Sequence, residues 1–88
     1  MDYIIDLKDV NSKQELHETI RNSFPVPEYY GNNLDALFDV FTSVFEDTEV
    51  TFTNTLSYDP DMAKYIQTLK LMCYDAQNAN EHIRFVFE

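Results

Sequence analysis

Apolar positions repeat along the chain with a helical period in three separate segments. Leu16, Ile20 and Phe24 recur at i, i+4 and i+8 and predict a first amphipathic helix. The second segment carries a strongly aromatic stripe: Leu34, Leu37, Phe38, Phe41 and Phe45. The third and longest stripe is Met62, Tyr65, Ile66, Leu69, Met72, Cys73 and Ala76. Each stripe is expected to face a common core, with the polar residues of its helix turned outward.

Three shorter segments are rich in β-branched and aromatic residues and predict strands. They are residues 2–7, a stretch around Val50 and Phe52, and residues 82–87. Strands and helices therefore alternate along the chain, and parallel strands require connections of that kind. The order predicts an α/β fold with parallel strand pairing. A chain of 88 residues is expected to form one domain, residues 1–88.

Polar residues and prolines mark the predicted helix ends. Each helix is preceded by a residue whose side chain can accept a hydrogen bond from the first turn: Ser12, Asn32 or Asn33, and Asp59. Glu15 follows three residues after Ser12 and completes a capping box. Pro25 disfavours the helical conformation at Phe24, so the first helix is expected to end there. The second helix is predicted over residues 33–46.

Charge is distributed unevenly along the chain. Sixteen acidic and six basic side chains give a net charge of −10. Residues 22–63 contain eight acidic residues and no lysine or arginine. Such a block indicates a negative surface that meets a positive partner, although an acidic face that serves only solubility would have the same composition. Nucleic acid is an unsuitable partner because its phosphates would be repelled.

Motifs for cofactor, metal or nucleotide chemistry are missing from the sequence. There is no CxxC pair, no GxGxxG, no phosphate loop and no cluster of histidines. Carboxylates could in principle bind a cation or act as acid–base groups, and the candidates are Asp35, Asp39, Glu46 and Glu49. We nevertheless expect no cofactor, no metal site and no catalytic residues. His17 and His82 are predicted at the surface or at a strand edge, and Cys73 in the core.

Compartment and association are expected to be those of a small soluble protein. A single cysteine precludes an internal disulfide and is compatible with a reducing cytoplasm. Residues 1–9 lack the basic and apolar regions of a signal peptide. No stretch approaches the roughly 20 apolar residues that a membrane helix needs. We expect a cytoplasmic protein that is monomeric when free and does not bind membranes.

The second predicted helix has an acidic face without basic neighbours. On a helix over residues 33–46, four polar residues fall at i, i+4, i+7 and i+11 and line one side: Asp35, Asp39, Thr42 and Glu46. Like charges four residues apart cost roughly 0.2–0.5 kcal/mol per pair. A helix selected for stability alone would place lysine at one of these positions. The carboxylates are therefore expected to serve a partner outside the chain.

The loop before this helix has the composition of an interface. Tyr29 and Tyr30 are large amphipathic residues of the type enriched at interface centres, although one of them could instead cap the core. Gly31 is the only glycine of the chain and can adopt positive φ or allow close approach of another chain. Together with the acidic face, these residues indicate a protein-binding site.

The segment PEYYGNNLDALFDVFTS, residues 27–43, closely resembles the sequence motif of the barstar family. Members of this family are small acidic intracellular proteins that inhibit secreted ribonucleases of the barnase type and so confer immunity to them. The resemblance implies a three-stranded parallel sheet packed with helices. It also implies a 1:1 complex in which the second helix and its preceding loop block the active site of a small basic ribonuclease.

The resemblance assigns expected roles to individual residues. The loop and helix start would contact the partner through Tyr29, Tyr30, Gly31, Asn33 and Leu34. Asp39 would be the central anchor, with its carboxylate in place of the scissile phosphate among the arginine and histidine groups of the enzyme. Further contacts are expected from Asp35, Thr42, Glu46 and Asp75.

Three positions of the predicted interface differ from the best-known member of the family. Phe38 and Val44 stand where that protein has tryptophans, and Ser43 stands where it has glycine. We expect these residues to influence which ribonuclease is bound. An alternative is an acidic adaptor that binds a regulatory protein or a toxin other than a ribonuclease.

Overall fold

A computed structural model describes all residues, 1–88, and shows three strands alternating with three helices. The strands are β1 (Asp2–Asp6), β2 (Thr48–Thr53) and β3 (Ile83–Phe87). The helices are α1 (Lys13–Ser23), α2 (Leu34–Thr42) and α3 (Pro60–Ala79). The strands form one parallel sheet in the order β1-β2-β3, which confirms the predicted α/β fold. None of the helices is long and apolar enough to cross a membrane.

The sheet buries one face and leaves the other in contact with solvent. Ile5, Val50, Phe52 and Ile83 are fully buried on the face that the helices cover. On the opposite face the register places Ile4, Thr51 and Val86 in one row across the three strands, and none of these is buried. The helices therefore form a single layer, and the core lies between them and the sheet.

Aromatic packing connects the helices to the sheet. Phe41 of α2 is fully buried and makes edge-to-face contacts with Phe24 at 5.3 Å and with Phe85 of β3 at 4.8 Å between ring centroids. Phe24 also packs edge-to-face against Tyr3 of β1 at 4.7 Å. Such geometry contributes about 0.5–1.5 kcal/mol per pair beyond the area buried.

The predicted buried position of Cys73 is also confirmed.

The predicted helix caps are present. The Ser12 hydroxyl accepts a hydrogen bond from the Glu15 amide at 3.1 Å. Asn33, rather than Asn32, caps α2, and its side chain accepts from the amide of Ala36 at 2.8 Å. Asp59 accepts from two amides at the start of α3. These contacts form between near neighbours in sequence, so the local pattern suffices to predict them.

The predicted end of α2 is wrong by four residues. The helix ends at Thr42 instead of residue 46, and Phe45 is 81% exposed instead of lying in the core. The side-chain amide of Asn80 donates to the carbonyl oxygens of Phe41 at 3.0 Å and Val44 at 2.8 Å. In a continuing helix the Phe41 carbonyl would accept the amide of Phe45. Because the Asn80 side chain donates to this carbonyl instead, the chain leaves the helix and Phe45 turns outward.

Candidate protein-binding site

The exposed side of α2 carries two carboxylates without intramolecular partners. Asp35 and Asp39 lie one turn apart, and both are exposed. The only contacts between acidic and basic side chains join Asp47 to His82 and Glu49 to Arg84, at the start of the sheet. Nothing within the chain therefore neutralises the acidic residues of α2, so they are available to a basic partner.

Glu46 does not continue the face of α2 as predicted, because the helix ends before it. It is exposed in the segment between α2 and β2. Thr42 is on the last turn but is half-buried, and its hydroxyl donates to the carbonyl oxygens of Phe38 at 2.8 Å and Asp39 at 3.3 Å. The acidic helical face thus consists of Asp35 and Asp39 alone.

The two tyrosines of the preceding loop have different environments. Tyr29 is 89% exposed, whereas Tyr30 is 5% exposed and belongs to the core. Of the two roles considered for Gly31, positive φ is not observed, and the left-handed conformation falls on Asn32, at φ 53°. The space around Gly31 is nevertheless tight on the side of the Asn33 side chain. A Cβ there would lie 3.0 Å from the side-chain nitrogen of Asn33, which donates to the Gly31 carbonyl oxygen.

The hydroxyl of Tyr30 is hydrogen-bonded to a buried histidine. His17 was predicted at the surface, but it is fully buried in α1. Its Nδ1 atom forms a hydrogen bond with the Tyr30 hydroxyl, and its Nε2 atom forms one with the Tyr65 hydroxyl at 2.7 Å. Burial lowers the pKa of His17 and raises the pKa values of both tyrosines. All three side chains are therefore neutral near pH 7.

A groove of about 670 Å³ runs between this loop and the end of α2. It brings together seven of the predicted site residues: Tyr29, Tyr30, Gly31, Asp39, Ser43, Val44 and Glu46. The predicted residues that do not line it are Asn33, Leu34, Asp35, Phe38, Thr42 and Asp75. The groove combines apolar walls with two unpaired carboxylates, which suits a partner segment that is both apolar and cationic.

Several residues at this surface were missed by the sequence reasoning. Phe45 and Tyr3 line the groove but were assigned to the core and to a strand. No local signal indicates that Phe45 is exposed, because its spacing continues the apolar stripe of α2.

Asp75, a predicted site residue outside the groove, is exposed on α3 and forms no ion pair. No group of three or more histidine, cysteine or acidic side chains is arranged to hold a metal.

Comparison with known proteins identifies the family of the chain. The chain matches the family Barstar (barnase inhibitor) over residues 1–88. It is also similar to a protein of Bacillus subtilis (strain 168) named "Putative ribonuclease inhibitor YrdF". The two are 37% identical over an aligned region of 73 residues, and the match covers 73% of this chain and 79% of the relative. The chain therefore belongs to the barstar family, the family of the barnase inhibitor.

Proposed function

We propose that this protein inhibits a small basic ribonuclease of the barnase type, in a 1:1 complex, by inserting the Asp39 carboxylate into its active site. The observation that carries the proposal is that Asp39 is exposed on α2, has no ion pair and lines the groove. Family membership and the name of the B. subtilis relative support the same class of partner.

The chemistry of the target explains why a carboxylate can act as an inhibitor. A ribonuclease binds the phosphates of RNA with a preformed set of cationic groups. A carboxylate on a helix presents a negative charge at a defined position, so little ordering entropy is lost on binding. The low dielectric constant of the closed interface then strengthens its attraction to the arginine and histidine groups of the enzyme.

Flanking residues supply the rest of the proposed interface. Tyr29 offers a large exposed aromatic surface beside Asp39, and Glu46 adds a second carboxylate on the groove. Asp35 extends the negative surface along α2 away from the groove. These three residues would fix the orientation of the enzyme around the central anchor.

The substitution Asp39→Ala tests this proposal. We expect it to weaken inhibition by about 3–5 kcal/mol, because the cationic groups of the enzyme would be buried without their partner. The melting temperature should be nearly unchanged, since an exposed helical aspartate contributes little to folding. Inhibition is measured by titration of barnase and a panel of related ribonucleases, with calorimetry to obtain the stoichiometry.

Glu18→Ala is the matched control, since it removes one exposed carboxylate from α1, outside the proposed site. Its inhibition should stay close to that of the unaltered protein. If Asp39→Ala inhibits as well as Glu18→Ala, phosphate mimicry by Asp39 is wrong. If the unaltered protein inhibits no ribonuclease of the panel, the target belongs to another class of protein.

A further inference from the structure

The loop at residues 29–33, here called the contact loop, is attached to α1 at two points: the hydrogen bond between His17 and the Tyr30 hydroxyl, and the side chain of Arg21. A terminal guanidinium nitrogen of Arg21 donates to the carbonyl oxygen of Tyr30 and to the side-chain oxygen of Asn32, each at 3.0 Å. The guanidinium carbon also lies 5.3 Å from the centre of the Tyr30 ring. Arg21 is half-buried and forms no ion pair with a carboxylate. Its charge is thus directed at the loop itself.

The conformation of the contact loop is one that needs such support. Asn32 has φ 53°, a left-handed conformation that Asn tolerates better than most residues but that is still less favourable than the ordinary conformations, so contacts that hold it in place matter. The Arg21 guanidinium donates a hydrogen bond to the side-chain oxygen of this same Asn32. The Tyr30 amide donates to the Pro27 carbonyl oxygen at 3.0 Å, which closes the turn before it. The arginine therefore joins the two halves of the loop.

We infer that Arg21 is a positioning residue that orders the contact loop before the partner binds. In so far as the inference concerns affinity, it rests on the proposed function. If the loop is ordered in only a fraction of molecules, the apparent dissociation constant rises by the inverse of that fraction. Arg21 keeps the fraction high without being part of the acidic surface that meets the enzyme.

The sign of the effect separates positioning from simple charge. Arg21 is a cation on a protein of net charge −10. Considered as a charge alone, it opposes a basic partner, so its removal would strengthen binding or leave it unchanged. Considered as a positioning residue, its removal weakens binding although the protein becomes more negative.

The test compares Arg21→Met and Arg21→Lys with Arg84→Met. Met retains an apolar stem without the charge, and Lys retains the charge without the planar group that contacts both acceptors. Arg84→Met makes the same change in net charge on the open face of the sheet. Amide hydrogen exchange at Tyr30 is measured in the free proteins. Affinity is measured for the panel ribonuclease that the unaltered protein inhibits best.

We expect both Arg21 variants to accelerate Tyr30 amide exchange by about tenfold and to weaken affinity by a similar factor. Arg84→Met should change neither quantity by more than about twofold. Ile83→Val serves as a stability control, because it lowers the melting temperature from a buried site far along the chain. In this variant the exchange rate of the Tyr30 amide should keep its ratio to the rates of the other amides. The affinity for the ribonuclease should also be unchanged.

Unchanged Tyr30 exchange in both Arg21 variants would overturn the inference, as would faster exchange with undiminished affinity. Stronger binding by Arg21→Met would show that Arg21 acts only as a charge. If no ribonuclease of the panel is inhibited, the proposed function fails, and exchange in the free protein decides the role of Arg21 by itself.

Discussion

At the scale of single residues, His17 shows how a polar side chain can be part of the core. A neutral imidazole has one donor nitrogen and one acceptor nitrogen. Its two tyrosine partners can therefore satisfy it if one hydroxyl accepts and the other donates. No buried side-chain nitrogen or oxygen atom of the protein lacks a hydrogen-bond partner. Burial of the neutral form is thus compatible with a stable fold, whereas burial of the charged form is not.

This arrangement predicts a loss of stability in mild acid. Burial lowers the pKa of His17 below 6.5, so as the pH falls through 6.5 the unfolded chain binds a proton that the folded protein does not. As the pH decreases below 6.5, the free energy of unfolding should decrease by at most about 1.4 kcal/mol per pH unit, until the pKa of His17 in the folded protein is reached. Urea unfolding at pH 7.5 and pH 5.5 measures the difference.

The two histidines separate the sources of this pH dependence. His17→Gln should remove most of the difference between the two pH values. His82→Gln should retain it, since this variant leaves the buried His17 and both of its tyrosine partners in place. If His17→Gln loses stability in acid to the same extent as the unaltered protein, another group is responsible.

At the scale of secondary-structure elements, the C-terminus of α2 is determined by its contact with α3. Asn80 caps α3 with its backbone amide, which donates to the Ala76 carbonyl oxygen. Its side-chain amide satisfies two carbonyl oxygens at the end of α2, and its side-chain oxygen accepts from the His82 amide at 3.0 Å. One buried residue therefore joins the ends of two helices to the start of β3, next to the groove.

We predict that Asn80→Ala lowers the free energy of unfolding by about 1–3 kcal/mol, because buried carbonyl groups would lose their donor. Urea unfolding measures the loss. Asn78→Ala is the matched control, since Asn78 is an exposed amide on the last turn of α3, and we expect a change within about 0.5 kcal/mol. Equal losses in the two variants would contradict the assigned role of Asn80.

At the scale of the whole molecule, the groove lies at the amino ends of the parallel strands. Thr48 begins β2 and lines it, together with Tyr3 near the start of β1. Ligands of open α/β sheets are usually bound at the carboxyl ends. Here the groove is at the opposite edge because α2 and its flanking segments, which carry the acidic residues, lead into the start of β2. The connection, rather than the strand ends, forms the proposed site.

The charge of the molecule predicts salt-dependent association with a basic ribonuclease. Residues 22–63 contain eight acidic residues and no lysine or arginine, and Asp35 and Asp39 are unpaired. The association rate constant should fall by at least about tenfold between 10 mM and 150 mM salt, as the Debye length shortens from roughly 30 Å to 8 Å. Stopped-flow fluorescence measures this rate. The dissociation rate should change much less, and a salt-independent association rate would exclude electrostatic steering.

The sequence by itself determined those features that depend on near neighbours. The apolar periods predicted the order of strands and helices, and the caps at Ser12 and Asp59 needed only the next turn. The spacing of Asp35 and Asp39 placed them on one helical face, because residues four apart lie above one another on a helix. The partner contacts assigned to the individual site residues stay predictions.

The tertiary structure alone decided those features that depend on distant contacts. The end of α2 and the exposure of Phe45 follow from Asn80, 39 residues beyond Phe41. The burial of His17 follows from Tyr65, 48 residues further along the chain. A helical period identifies the apolar face of a helix, but it does not reveal which polar residue finds a hydrogen-bonding partner in the core. The choice of partner depends on how the helices pack against one another. In this protein the same packing determines the shape of the groove and the position of the contact loop.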